Sequence, residues 1–397
     1  MTNSTPTIYT RQFWLLCISN LLFSASFQMI IPELPDHLSK MGGQAYLGLV
    51  IFLFTLTAGL SRPFSGKLTD SIGRIPVMAF GSLVCFVCSL AYPFVHIVAG
   101  FLWLRLIHGM STGTKPTATA AYIADISPAN RRGEAAGTLG IFTATGMSLG
   151  PTIGSYLTKW AGINATFYTS SAFALLSILI LLNMKETLIE RKPFSIGLFK
   201  IGYKDIFEPK VVSVFVVMFL VSFSSGVIIT LAPDFTKSLG MNNKGIFFTV
   251  YTAASLLVRV VASKSSDKYG RVIVLIFSCG VLAAGMFVLG FWQTITGFYL
   301  SAILFGISWG LNTPALTAWA VDLSHEAHRG RGLATMYMAL EAGIGIGALW
   351  SGWYYGGQIQ NLALIFYVAS TLAGVAVGYL VFLKKTDTDF IENLEKR

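Results

Sequence analysis

About twelve apolar stretches, each long enough to cross a bilayer as a helix, follow one another along these 397 residues. Nothing else in the chain restricts the fold so severely. In hydrocarbon, backbone N–H and C=O groups find no water and must be paired by the chain itself, so each stretch reads as a helix. The stretches run near 12–33, 46–65, 76–95, 98–123, 135–158 and 164–184, then near 211–233, 246–264, 272–291, 293–320, 332–354 and 362–383. Hydrophobic residues make up 54% of the chain and charged ones 12%, where soluble domains carry about a quarter charged. A soluble domain of this length could not hide that apolar surface, whereas lipid solvates it. The expected class is an all-α membrane protein.

The formal charge of +10 is distributed by side. Every second loop is basic: Lys67 and Arg74; Arg131 and Arg132; Lys264, Lys268 and Arg271; Arg329 and Arg331. The alternate loops hold only Lys40, Lys159, Lys237 and Lys244. By the positive-inside rule both termini, with Lys384 and Lys385, and the central loop are expected in the cytoplasm. No basic and aromatic stripe points to nucleic acid. The run from Phe13 to Ile31 is too long for a signal-peptide core, so no cleavable leader is expected. Cys17, Cys85, Cys88 and Cys279 lie in apolar stretches without metal-ligand spacing and read as small buried hydrophobes. No metal site, cofactor, phosphate-binding loop or nucleophile elbow is expected, and the chain does not read as an enzyme.

The only long polar segment, Lys185 to Lys210, reads as a cytoplasmic linker. It divides a first six-helix bundle, residues 1–184, from a second, residues 211–397. Its stretch 194–207, FSIGLFKIGYKDIF, could form a short amphipathic helix on the membrane surface. The halves repeat at an offset of about 197 residues. Arg62 matches Arg259. Asp70, Gly73 and Arg74 match Asp267, Gly270 and Arg271. Gly109 and Gly113 match Gly306 and Gly310, Asp125 matches Asp322, Arg132 and Gly133 match Arg329 and Gly330, and Gly150 matches Gly347. Chance alignment of apolar helices would pair Leu and Ala, not glycines and loop charges. An even number of spans per half makes this a parallel repeat, the kind with a solute site at the repeat interface.

The first basic loop reads Gly66-Lys67-Leu68-Thr69-Asp70-Ser71-Ile72-Gly73-Arg74, and a weaker copy follows Ser266. This resembles the loop between helices 2 and 3 of the major facilitator superfamily, and the copy falls where that superfamily repeats it. The resemblance extends over the whole chain. It implies twelve helices in two parallel-repeat bundles, with Asp70, Gly73, Arg74, Asp267, Gly270 and Arg271 as a conformational latch. Gly73 permits the tight turn, and Asp70 would favour the positive end of helix 11 near Arg331.

Leu102 to Gly113 on the fourth span contains Arg105, roughly 10 Å in from the outer end at 1.5 Å per residue. It resembles the helix-4 motif of proton-coupled members. Gly146, Gly150, Pro151 and Gly154 resemble the helix-5 motif of antiporters; the three glycines form one smooth face and Pro151 bends the helix. Lys115 is a second intramembrane cation, read as a substrate contact, as a partner for a carboxylate, or as a lysine reaching toward the cytoplasmic interface. Glu341, about three turns into the eleventh span, is the one carboxylate in the middle of a span. An intramembrane carboxyl can take and release a proton, which a proton carrier needs; pairing with Lys115 or Arg105 is the other reading.

The superfamily lines its cavity with helices 1, 4, 7 and 10. That puts Asn20, Phe27, Gln28, His108, Lys115, Trp309 and Asn312 forward as substrate-binding candidates, with Glu341 and Arg105 for proton coupling. The implied function is a secondary transporter of a bacterial inner membrane, a monomer of multi-pass topology. It would couple protons to efflux of a drug-like or amphiphilic solute by alternating access. The first span departs from many such pumps in lacking a mid-membrane acid. The alternative is a transporter of a defined metabolite, such as a sugar, siderophore, nucleoside or organic anion, working as importer or uniporter.

Overall fold

The computed structural model describes residues 8–128, 131–193, 195, 198, 202, 207–261, 265–324 and 329–395. Twelve long helices carry the fold: α1 Arg11–Ile30, α2 Leu47–Ser71, α3 Arg74–Ala91, α4 Val98–Ile126, α5 Arg132–Ala161, α6 Ile163–Leu182, α7 Val212–Ser238, α8 Ile246–Val261, α9 Arg271–Phe291, α10 Ile295–Leu323, α11 Arg329–Tyr355 and α12 Leu362–Glu395. The chain is a multi-pass membrane protein. Among the described residues, nine helical segments are long and apolar enough to span a bilayer. The helices outside that set are α4, α5 and α8. Two of them, α4 and α5, hold the intramembrane cations and the glycine motif, so polar and small residues lower their hydropathy. The third, α8, is short at 16 residues.

Local signals explain the ends. Thr10 caps α1 by accepting from the Phe13 N–H, and Thr294 caps α10 by accepting from the Gly297 N–H. Gly73 and Gly270 enter α3 and α9 with φ of +125° and +88°, a region L side chains rarely adopt. The predicted repeat therefore appears as the same strained turn in each half.

The chain divides into two compact units. Unit 1 comprises Met1–Tyr203 and Asn242–Thr249, and unit 2 comprises Lys204–Met241 and Val250–Arg397. The break at Tyr203 lies inside the stretch expected as a linker. The amphipathic segment expected over 194–207 lies almost wholly outside the described residues. In unit 1, α1 packs on α5 and α6, and α4 on α2 and α3; in unit 2, α7 packs on α11 and α12, and α9 on α10 and α12.

Candidate functional site

The glycine face of α5 is a backbone contact. A Cβ at Gly146, Gly150 or Gly154 would collide with the carbonyl oxygens of Leu21, Ala25 and Met29 on α1, at 2.8 Å in the case of Gly150. Unit 2 repeats the device. Gly343 and Gly347 of α11, 197 residues on, press against the carbonyls of Phe219 and Phe223 of α7. The motif is therefore a close helix crossing used in both units.

At the basic turns the repeat becomes a repeated ion pair. Arg74 Nε lies 3.0 Å from Asp125 Oδ2 at the end of α4, and Arg271 Nε lies 3.0 Å from Asp322 Oδ2 at the end of α10. Asp70 is largely exposed and pairs with Arg74 at 3.1 Å. Arg331 pairs with Glu208 of its own unit. The side chain of Asp267 lies outside the described residues. A residue that sequence reasoning missed completes the turn in unit 1. The Glu186 carboxylate accepts from the N–H groups of Arg74 and Ile75, at 3.0 and 2.9 Å, and of Thr187 and Leu188, at 2.9 and 3.0 Å. It thus caps α3 from a distance. Partial burial opposes its charge, but the four N–H donors outweigh that and hold the carboxyl below the ordinary glutamate value.

Arg105, His108 and Lys115 of α4 are buried inside unit 1. Arg105 donates from Nε to the Val50 carbonyl at 2.9 Å and from Nη1 to the Tyr92 hydroxyl at 3.4 Å, with its guanidinium 4.4 Å from the Phe54 ring centroid. Its Nη2 has no partner among the described residues. His108 bridges the Tyr92 hydroxyl, 3.2 Å from Nδ1, and the Cys85 thiol, 3.3 Å from Nε2. Lys115 does not reach the cytoplasmic interface. Its Nζ donates to Ser19 O and Oγ, at 3.2 and 3.0 Å, to Ser82 Oγ at 3.1 Å, and to Ser177 Oγ, with the Phe23 ring centroid 4.6 Å away. Helices α1, α3 and α6 each carry a fully buried serine pair spaced seven residues apart: Ser19 and Ser26, Ser82 and Ser89, Ser170 and Ser177. Two turns separate the members of each pair, so they form two hydroxyl layers about 10 Å apart. Ser19, Ser82 and Ser177 form one, around the lysine; Ser26, Ser89 and Ser170 form the other, joined to Cys85.

The remaining candidates divide between the units. Asn20 donates to Thr143 Oγ1 on α5. Phe27 packs between Phe23 and Phe54, and Gln28 is buried where α1 meets Gly150. Glu33, in the short helical turn that follows α1, is buried in unit 1. It accepts from Ser155 Oγ at 2.9 Å and from Lys244 Nζ at 3.1 Å. In unit 2, Asn312 is fully buried. It accepts from Ser278 Oγ at 2.6 Å and donates to Ser308 Oγ at 2.9 Å. Trp309 lies beside Phe305 with its indole N–H unpartnered among the described residues. Glu341 is buried on α11.

Two bundles built on one repeated plan, each with a glycine crossing and an arginine–aspartate tie at the same register, define a class. The chain belongs to the Major Facilitator Superfamily, whose family model matches residues 16–243 and 214–396. It is similar to the multi-drug resistance efflux pump PmrA of Streptococcus pneumoniae, 27% identical over 264 residues, 64% of this chain and 66% of that pump. The aligned part thus spans just under two thirds of the pump's length. It is also similar to the multidrug resistance protein MdtG of Serratia proteamaculans, 28% identical over 323 residues, 76% of each chain. Among solved structures, the human organic anion transporter MFSD10 superposes with a TM-score of 0.74 at 18% identity, covering 93% of this chain and 99% of that one. At that identity the likeness speaks for the fold alone.

Proposed function

We propose that this protein is a proton-coupled efflux transporter of a bacterial inner membrane, working as a monomer with both termini in the cytoplasm. It moves drug-like or amphiphilic small molecules by alternating access. The halves are residues 1–184 and 211–397, with 185–210 as the linker. The observation that carries the reading is the likeness to PmrA and MdtG, joined to buried ionisable groups within the spans, Arg105 and Glu341. Such groups in membrane helices are costly and mark coupling or solute pathways. Glu341 and Arg105 serve the proton. Asn20, Phe27, Gln28, His108, Lys115, Trp309 and Asn312 are the candidates for solute contact. The turns at Asp70, Gly73 and Arg74 and at Asp267, Gly270 and Arg271 hold one conformation of the cycle.

The test uses inside-out vesicles with a pH-sensitive dye and a panel of lipophilic cations, carboxylated antibiotics, siderophores and sugars, added to wild type and Glu341→Gln. Proton release on adding one class, lost in the variant, is the expected result. Flux of one labelled metabolite without proton movement in either protein would instead make this a uniporter or importer of that metabolite.

A further inference from the structure

The two units share a scaffold but not its charges. In unit 1 a Cβ at Gly109 or Gly113 would meet the carbonyls of Phe54 and Ala58. In unit 2 one at Gly306 or Gly310 would meet those of Tyr251 and Ser255. All four positions of unit 2 lie 197 residues beyond their counterparts. The edge-to-face contact of Phe54 with His108, centroids 5.6 Å apart, recurs as Tyr251 with Phe305 at 5.4 Å. On this common register Arg105, His108 and Lys115 correspond to Ala302, Phe305 and Asn312. Asn312 satisfies its site with neutral partners, Ser278 and Ser308. Packing at this place on the helix therefore does not require a cation.

Nor does the site around Lys115 neutralise one. Among the described residues no carboxylate pairs with it. The elements packed against it present serines and Phe23 from α1, Ser82 and the Cys85 thiol from α3, and Ser177 from α6. His108 and Arg105 lie further along its own helix. A permanent, unpaired charge in such a place is expensive. The cage suits both protonation states, because serine hydroxyls rotate between donor and acceptor roles. An ammonium has acceptors for all three N–H bonds in Ser19 O, Ser82 Oγ and Ser177 Oγ. An amine keeps two of these as acceptors, and its lone pair accepts a hydrogen bond donated by the Ser177 hydroxyl.

We propose that Lys115 is a proton-binding residue of this protein. Its lone pair accepts a proton from water when the cage opens, forming the ammonium, and releases that proton to water later in the cycle, with the three-serine layer of α1, α3 and α6 as its occluded seat. The assignment adds to the proton-coupled reading a carrier within unit 1, and it rests on that reading only where transport is measured.

Two measurements test it. The first is solid-state NMR of the full chain in liposomes, labelled with ε-15N lysine and assigned by difference from Lys115→Met. The Lys115 resonance is expected to move between the ammonium and amine positions as pH is raised across the range in which the protein stays folded. A resonance that keeps the ammonium position throughout overturns the proposal, whether or not the protein exports anything. The second is substrate-driven proton release in vesicles by Lys115→Asn, which copies the residue that unit 2 holds at this register, and by Lys115→Arg, which cannot discharge. Loss of proton release in both is expected, with the melting temperature of Lys115→Asn confirming a folded protein. Wild-type proton release in folded Lys115→Asn overturns the proposal even if the resonance titrates. Absence of proton release in the wild type with every solute removes the proton-coupled reading instead, and the NMR result then decides Lys115 alone.

Discussion

Replacing Gly150 by Ala adds one methyl group where α5 crosses α1. The new carbon would lie 2.8 Å from the Ala25 carbonyl oxygen, 3.1 Å from Ala25 Cα and 3.2 Å from Gln28 Cβ. Comfortable carbon–oxygen contacts begin near about 3.3 Å. The two helices must therefore separate by about half an ångström, and a gap of that size forfeits roughly a quarter of each dispersion contact it touches. Overpacking of this kind costs about 1–3 kcal/mol. Gly140, on the same helix, supplies the control. A Cβ there has nothing within 4 Å, so Ala should be neutral or should gain about 0.5–1 kcal/mol from helix propensity. Thermal unfolding in detergent should place Gly150→Ala a few degrees below wild type and Gly140→Ala at or above it. Equal melting temperatures for the two variants would refute the backbone crossing.

In double-mutant cycles on thermal stability, Arg74 with Asp125 and Arg271 with Asp322 should each couple by about 0.5–1 kcal/mol, as partly exposed pairs do; coupling in one unit only would contradict the repeated tie. Glu186→Gln should lower stability near neutral pH by about 1 kcal/mol, after allowing for solvent screening. Because the folded carboxyl sits below its ordinary value, its contribution is complete above the unfolded value of about 4.3 and fades as pH falls through the folded one. The melting curves of variant and wild type should therefore converge in acid, and a gap that does not narrow as pH falls would exclude a charge-based cap. Asn312→Leu removes one of two acceptors of the buried Ser278 hydroxyl, which keeps the Leu275 carbonyl at 3.1 Å, and the donor to Ser308, and should destabilise by about 1 kcal/mol; an unchanged melting temperature would show that the amide is not structural.

The helices were legible because lipid imposes a simple rule on composition, and the repeat was legible because glycines and loop charges tolerate little substitution. The structure adds that the first span continues through a short helix, Leu34–Lys40, and that α12 runs on to Glu395. These ends are polar, and an apolar run cannot reveal them. The Lys115 cage was written in the sequence as three serine pairs at a spacing of seven. A serine in a membrane helix is unremarkable, however, and only the fold shows that α1, α3 and α6 bring their pairs to common levels. Glu186 could not have been found at all. Its role depends on a chain reversal that returns residue 186 to the start of α3, and nothing in the neighbouring sequence marks a cap.

Where a duplicated protein keeps its repeat and where it abandons it are different kinds of evidence. The glycine crossings, the arginine–aspartate ties and the edge-to-face ring contact persist at one offset in both units, so these are the demands of packing six helices. The cations Arg105 and Lys115 occur in unit 1 alone, on a helix whose counterpart manages with Ala302 and Asn312. Charge inside a membrane carries a standing cost. The scaffold does not demand a charge at either register, and on the proposal above the Lys115 charge is the part that carries the proton. Glu341 of α11, buried within its span, lies in the other unit. Arg105 and Lys115 of unit 1 and Glu341 of unit 2 thus stand at registers where the other copy of the scaffold carries no such charge. On the proton-coupled reading proposed above, that asymmetry marks where the coupling groups lie, because packing alone accounts for what the two units share and not for the charges in which they differ.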